Sequence, residues 1–425
     1  MIRETHKYFK FDWITIIIFF LLVGFGWLNI LSASHVGEEI NYLDFSQPYG
    51  KQLLFIFLNF GLIILLLAID AKFYERFSSI IYIISMLSLV GLFVFGKNVN
   101  GATSWYAIGG QTFQPSEFAK TATALAVAKY ISDLNTNINN IKDQIQTFII
   151  IVIPAILVLL QNDTGSTVVY GAFFFVLYRE GLPKFYLNIV VSLIVLSILS
   201  LKFGGLTASA FVAVLILGYY FLNKRKASIL NLSLIFILST GISFGIKFFY
   251  NSILQPHQKD RISLWLRLEK DPEKLEKMKQ TFAYNLNESE KAIGSGGFTG
   301  KGFLEGTRTT GKFVPEQHTD YIFSTVGEEW GFLGSAFVVI MFVLLLLRII
   351  HLAELQKSQF SRVYGYSVAS IIFIHFFINI GMVMGIIPTI GIPLPLFSYG
   401  GSGLWAFTIL IFIFIKLDSD RINQW

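Results

Sequence analysis

Four short polar clusters interrupt an otherwise apolar chain, and their side chains are the ones equipped for chemistry. The first is Gln114-Pro115-Ser116-Glu117 with Lys120, where a carboxylate and an ammonium three residues apart share one helix face. They form either a reactive pair or a local ion pair that neutralises itself. The second is Asp163-Thr164-Gly165, in which Asp163 serves equally as a helix N-cap or as a site carboxylate. The third is His318-Thr319-Asp320, with Glu316 and Gln317 before it and Glu328 and Glu329 after it; Asp320 also fits a cap. The fourth is Pro388, Gly391, Pro393 and Pro395, followed by Ser398-Tyr399-Gly400-Gly401-Ser402-Gly403. A carboxylate in such a place can take the proton of an attacking hydroxyl, and a neighbouring cation can stabilise a departing anion. His375 reads as a packing residue. No pair of histidines has zinc spacing, and no Ser-His-Asp order stands out.

The elements that must position these groups are membrane helices. Of 425 residues, 54% are hydrophobic and only 14% charged, against roughly 25% charged in an ordinary globular domain. Forty-three phenylalanines add more apolar surface than one soluble core can bury. A soluble enzyme, a nucleic-acid-binding module and a disordered scaffold are excluded. The absence of cysteine excludes disulfides and thiolate chemistry. A spanning helix needs about 20 mainly apolar residues. That ruler places spans near 13–34, 50–69, 77–96, 114–131, 145–160, 165–179, 185–203, 205–222, 228–250, 320–350, 361–387 and 394–417. The first apolar run has no cleavage site after it and reads as a retained helix.

The expected fold is an all-α polytopic integral membrane protein, a bundle of ten to twelve transmembrane helices forming a single domain over residues 1–425. Alternate loops carry unequal basic charge: seventeen Lys and Arg on the side of the N-terminus, against Lys51, Lys97 and Lys202 in the short loops opposite. The positive-inside rule then puts both termini in the cytoplasm. The net charge of +6 is a topology signal and calls for no nucleic acid. Residues 251–319 form a large extracytoplasmic loop, too long for a connector. Within it, Asp271-Pro272-Glu273 starts a short helix over 271–282 with Leu275, Met278 and Phe282 on one stripe. It reads equally as an amphipathic helix on the outer membrane surface or against the bundle, or as a solvated helix inside the loop. Gly294, Gly296, Gly297, Gly300, Gly302, Gly306 and Gly311 follow without the strand that a dinucleotide fingerprint needs, and imply backbone laid closely against membrane helices or a substrate. In this topology Glu117, Lys120, Asp163, Asp320 and the Pro/Gly segment all reach the external end, around one polar cavity. Helix-breaking residues at membrane depth are tolerated where they line such a cavity.

These motifs resemble those of the SEDS family (RodA, FtsW and SpoVE). Asn379, then Gly385-Ile386-Ile387-Pro388-Thr389-Ile390-Gly391, then Phe397-Ser398-Tyr399-Gly400-Gly401-Ser402 is similar to its carboxy-terminal signature, spacing included. Gln114 to Lys120 resembles the motif before its fourth span. Ala292 to Gly297 with Gly300-Lys301-Gly302 resembles the RodA branch. Pro315 to Phe323, followed by Gly327-Glu328-Glu329, resembles the segment carrying the family's essential aspartate. Two departures stand out: Gln161-Asn162-Asp163-Thr164-Gly165 lacks the usual proline, and Ser104 replaces the usual Arg before Trp105. Most relatives have ten spans, which places the surplus between 180 and 250.

The resemblance implies a peptidoglycan glycosyltransferase of the bacterial cytoplasmic membrane, with RodA-like elongation as its role. Its substrate would be lipid II, and a GlcNAc 4-hydroxyl would attack the MurNAc anomeric carbon as undecaprenyl pyrophosphate leaves. Asp320 would be the base, with Glu117 and Lys120 as further catalytic residues. Lys120, a loop cation or a divalent cation (Mg or Mn) would meet the pyrophosphate. Asp163, His318, Ser398, Tyr399, Gly400 and Gly401 would bind substrate. A class B penicillin-binding protein, within the elongation machinery and surrounded by membrane lipid, would be the partner. A flippase for lipid-linked precursors and a non-catalytic scaffold are the rival readings. The absence of an amino-terminal counterpart to the 388–403 segment speaks against the flippase.

Overall fold

The computed structural model describes residues 11–35, 40–99, 101–109, 111–223, 228–269, 271, 273, 275, 276, 278 and 284–421. In chain order they form α1 (Trp13–Ser34), α2 (Pro48–Ala68), α3 (Ala71–Phe95), strands β1 (Lys97–Val99), β2 (Ala102–Ile108) and β3 (Gln111–Phe113), then α4 (Pro115–Ile131), α5 (Ile141–Leu160), α6 (Thr164–Val169) and α7 (Phe173–Arg179). There follow α8 (Lys184–Phe203), α9 (Gly205–Leu222), α10 (Ile229–Ser252), α11 (Pro256–Leu266), α12 (Tyr284–Ser295), α13 (Thr307–Thr310), α14 (Ile322–Glu329), α15 (Gly331–Glu354), α16 (Gln359–Val383) and α17 (Gly401–Asp420).

Ten of these helices are long and apolar enough to cross a membrane. The helical bundle is as expected, but the shortfall from twelve lies elsewhere than between 180 and 250, where α8, α9 and α10 all qualify. It lies at α4, which has 17 residues, and at 164–179, where a 3-10 turn over Tyr170–Ala172 separates α6 from α7. The span expected at 320–350 is also two helices, α14 and α15, broken at Trp330 where Gly331 takes φ +61°. The polar loop before α4 folds into a small antiparallel sheet, order β1-β2-β3, with Tyr106 opposite Phe113 and Ile108 opposite Gln111.

The chain divides into two compact units, one of residues 1–182, 288–384 and 390–425, the other of 183–287 and 385–389. In the second unit α8, α9 and α10 pack on one another and α11 rests on α8. Trp265 Nε1 donates to the Ile386 carbonyl at 2.8 Å. Of the helix expected over 271–282, positions 273, 275, 276 and 278 are helical. Asp271 caps them as expected, accepting from the Glu273 amide at 3.1 Å. Phe282 lies outside the described residues.

The first unit is built around α4. Its Ala119, Ala122, Ala124 and Ala128 let α3, α5, α16 and α17 approach closely, and nearly every α4 residue is buried. Small residues at such contacts are what membrane packing favours. The same helix carries Glu117, Lys120, Thr121 and Thr123, all buried, so its low hydropathy and central position have one cause: it cannot face lipid.

The glycine-rich run is laid against α14, as its spacing implies. Gly296 and Gly300 sit where an added Cβ would lie 1.9 Å from the Gly327 carbonyl and 2.1 Å from that of Glu329. Lys301 N and Gly302 N donate to the carbonyls of Glu328 and Glu329 at 3.1 and 3.0 Å, and Phe332 N donates to Gly297 O at 2.9 Å. Gly300 also takes φ +85°, which an L-residue occupies at a cost of roughly 1–2 kcal/mol. Gly300→Ala adds a backbone clash to that strain, so it should lower thermal stability by more than 2 kcal/mol, on the order of the overpacking range. Thermal unfolding in detergent measures this; a wild-type Tm would show that the loop is free to move off α14.

Candidate active site

A cavity of about 190 Å³ opens among β2, β3, α2, α4, α17 and the irregular segment between α16 and α17. Glu117, Gln114, Trp105 and Thr319 line it, with Pro393 and the stretch Ser398-Tyr399-Gly400-Gly401-Ser402-Gly403. Small-molecule sites are typically about 300–1,000 Å³, so this space admits part of a large substrate and no more.

The residues 318–320 are pinned to this irregular segment by backbone and hydroxyl contacts. Tyr399 N donates to His318 O at 2.9 Å, Ser398 Oγ donates to Thr319 O at 2.7 Å, and the Leu394 amide donates to Ser398 Oγ at 2.9 Å. Asn379 Nδ2 donates both to Asp320 O at 2.8 Å and to Ile392 O at 2.7 Å. Asp320 follows cavity-lining Thr319, is half-buried, and holds its Oδ2 3.2 Å from where a Cβ on Gly391 would stand. Gly391, at φ +83°, is thus required both by the turn and by the carboxylate. Asp320 is not the cap of α14, whose N-cap is Tyr321 without a side-chain bond. The His318 ring meets that of Tyr399 at a tilt of 54°, centroids 5.5 Å apart, and lines no part of the cavity. Burial depresses its pKa, and the Lys312 cation adds to the effect while Glu316 opposes it.

Glu117 reaches the cavity from inside the bundle. Its Oε1 accepts from Lys120 Nζ at 2.7 Å, and its Oε2 has no hydrogen-bond partner among the described residues. Lys120 is only 2% exposed and lines no part of the cavity. Behind it His375 Nε2 lies 2.9 Å from Nζ. Asp163 takes the cap role: it accepts from Ser166 N at 2.9 Å and from Gln114 Nε2 at 3.0 Å. It therefore holds the first residue before α4 without lining the cavity itself. Ser398, Tyr399, Gly400 and Gly401 do line it. Trp105, Phe55, Thr112 and Ser402 join them; Ser402 stands in the carboxy-terminal motif and Trp105 draws notice through the Arg missing before it, whereas the sequence reading singles out neither Phe55 nor Thr112. That Arg's replacement, Ser104, is buried. Among the described residues, no group of three or more His, Cys, Asp or Glu is arranged to hold a metal ion.

Glu328 and Glu329 lie outside this cavity and bind the glycine-rich loop. Burial acts to raise the Glu328 pKa, but Lys301 Nζ at 2.7 Å, the amides of Arg308 and Thr309 and the Thr309 hydroxyl outweigh it and hold the carboxyl below its usual range. Glu329 accepts from Ser32 Oγ of α1, and burial pushes its pKa up to about 7, with Glu328 adding to the rise. A raised carboxyl pKa stabilises the fold fully below about 4.5 and loses that contribution as pH climbs to about 7. Glu329→Gln should therefore flatten the fall in Tm between pH 4.5 and 7, read by thermal unfolding across that range; an unchanged slope would remove Glu329 as its source.

Comparison with known proteins follows the same lines. The profile of the FtsW/RodA/SpoVE family, described as cell cycle proteins, matches residues 12–211 and 189–422. The peptidoglycan glycosyltransferase RodA of Treponema pallidum (strain Nichols) is 30% identical over 97% of this chain and 98% of its own. The peptidoglycan glycosyltransferase MrdB of Escherichia coli (strain K12) is 30% identical over 92% of this chain and 88% of its own. Among solved structures, the rod shape determining protein RodA of Thermus thermophilus is 23% identical, with a TM-score of 0.62 over 98% of this chain and 99% of that one. A chain from a study of how polymerization and crosslinking are coordinated in a peptidoglycan synthase complex is 23% identical, with a TM-score of 0.70 over 98% of this chain and 100% of that one. These two likenesses establish the fold.

Proposed function

This chain belongs to the FtsW/RodA/SpoVE family of cell cycle proteins, and from that premise we propose that it polymerises lipid II into glycan strands with Asp320 as the general base. It is a multi-pass membrane protein and a peptidoglycan glycosyltransferase, as its full-length relatives at 30% identity are named. The observation that carries the residue assignment is the pinning of 318–320 onto the irregular segment, which sets a half-buried carboxylate beside a cavity that Glu117 lines from below.

In this reading the GlcNAc 4-hydroxyl gives its proton to Asp320 as its oxygen bonds to the MurNAc anomeric carbon. The bond from that carbon to the phosphate oxygen breaks, the electron pair leaves with undecaprenyl pyrophosphate, and α becomes β. Glu117, the carboxylate that lines the cavity, orients the acceptor hydroxyl or a water beside it. Lys120 acts through Glu117 and does not meet the pyrophosphate. Lys312, exposed and close enough to His318 to lower its pKa, is the loop cation we assign to that role. The lipid tail stays in the bilayer, since the cavity has room for only part of the substrate. The site faces the cell exterior and both termini face the cytoplasm, supported by seventeen basic residues against three in alternate loops. A class B penicillin-binding protein that crosslinks the strands is the partner, during wall elongation.

Digestion of the product tests the stereochemistry. Glycan made by the purified chain from labelled lipid II should fall to disaccharide units under a muramidase that cleaves only β-1,4 links. Resistant polymer would contradict inversion. The transporter reading is not favoured: the named relatives are transferases.

A further inference from the structure

His375, on α16, is 1% exposed and takes no part in the steps above. Its Nε2 is 2.9 Å from Lys120 Nζ, and its Nδ1 is 3.3 Å from the carbonyl oxygen of Pro393. An ammonium has three N–H donors and no lone pair. At that contact Nε2 must therefore accept, which leaves the ring proton on Nδ1, facing an oxygen that can only accept. One neutral tautomer satisfies both contacts. The other tautomer satisfies neither, and an imidazolium would set a second cation against the first.

Lys120 Nζ is held on three sides: by Glu117 Oε1 at 2.7 Å, by His375, and by the Phe407 ring with its centroid 5.6 Å away. Phe407 also meets the His375 ring edge to face at 4.9 Å. Glu117, Phe407 and Pro393 all line the cavity. The imidazole thus bridges the helix bearing the inner carboxylate to the irregular segment bearing the outer wall.

We propose that His375 is a positioning residue: as a neutral imidazole protonated on Nδ1, it fixes the Lys120–Glu117 pair and ties it to Pro393, so that Glu117 and the wall from Ser398 to Gly401 keep one geometry. This rests on the glycosyltransferase reading of the site. Misplacing a reacting group by an ångström can lower turnover by about 100-fold.

Three variants separate positioning from packing. His375→Gln presents an oxygen to Lys120 where Nε2 stood. His375→Asn can donate only towards Pro393, and His375→Leu fills the space without polar contact. With lipid II polymerisation as readout, Gln should keep turnover within about threefold while Asn and Leu lose about 10–100-fold, at unchanged KM. Loss that is equal in all three and tracks Tm, or no loss in Leu, overturns the proposal. Nitrogen-15 magnetic resonance of histidine-labelled protein reads the tautomer without any activity, with His375→Gln identifying the signal. Protonated Nδ1 with bare Nε2, the latter shifting in Lys120→Met, is the expected pattern; a proton on Nε2 overturns the proposal. Wild-type protein that makes no glycan would refute the activity reading, while the resonance would still decide the role of His375.

Discussion

Asp320→Asn should abolish glycan polymerisation, lowering kcat by about 100- to 10,000-fold, the range of a lost general base. The substitution is isosteric. The backbone carbonyls of residues 318–320 accept from Asn379, Ser398 and Tyr399, bonds that the substitution leaves in place, so the fold around the site should survive. Expression and Tm are expected to match wild type, and KM for lipid II should stay put, because the interaction removed is made in the transition state. Turnover within tenfold of wild type would move the base to another group, Glu117 first, since it is the carboxylate that lines the same cavity.

The second large effect is at the buried ion pair. Lys120→Met leaves the Glu117 carboxylate at 4% exposure without its cation, and breaking such a pair costs about 3–5 kcal/mol. Replacing both partners, as Glu117→Gln with Lys120→Met, removes the uncompensated charge and should restore most of that stability. Turnover should not return with it. Thermal unfolding alongside the polymerisation assay reads both. A double variant that regains stability and activity together would reduce the pair to a structural role; one that regains neither would mean that the pair's loss is not what unfolds the single variant.

The bundle was legible because each span is a long apolar run whose length matches a bilayer, and the candidate site residues stood out because charge is so scarce between those runs. Elements set by tertiary context were not. The strands over 97–113 are too short to outweigh the loop-like polarity around them, although Gly109-Gly110 between aromatic and β-branched residues is a hairpin signal. The burial of α4 follows from its alanines, which a hydropathy window scores as weak rather than as close-packed. Lys120 read as a cation available to substrate, yet its partner His375 is 255 residues away and on another helix, a pairing invisible to local spacing. Asp163 and Asp320 carried the same cap-or-site ambiguity, and only geometry separates them: one bonds the amide three residues on, the other does not cap its helix.

The central claim is that this chain itself joins lipid II units. Wild-type protein, purified in detergent and given labelled lipid II, is followed by gel electrophoresis of the glycan, alone and with its crosslinking partner. Detergent removes any distinction between the two sides of a membrane, so transport leaves no trace in this assay. A ladder of chains, absent with Asp320→Asn, is the predicted result. Lipid II that stays monomeric in both preparations would contradict it.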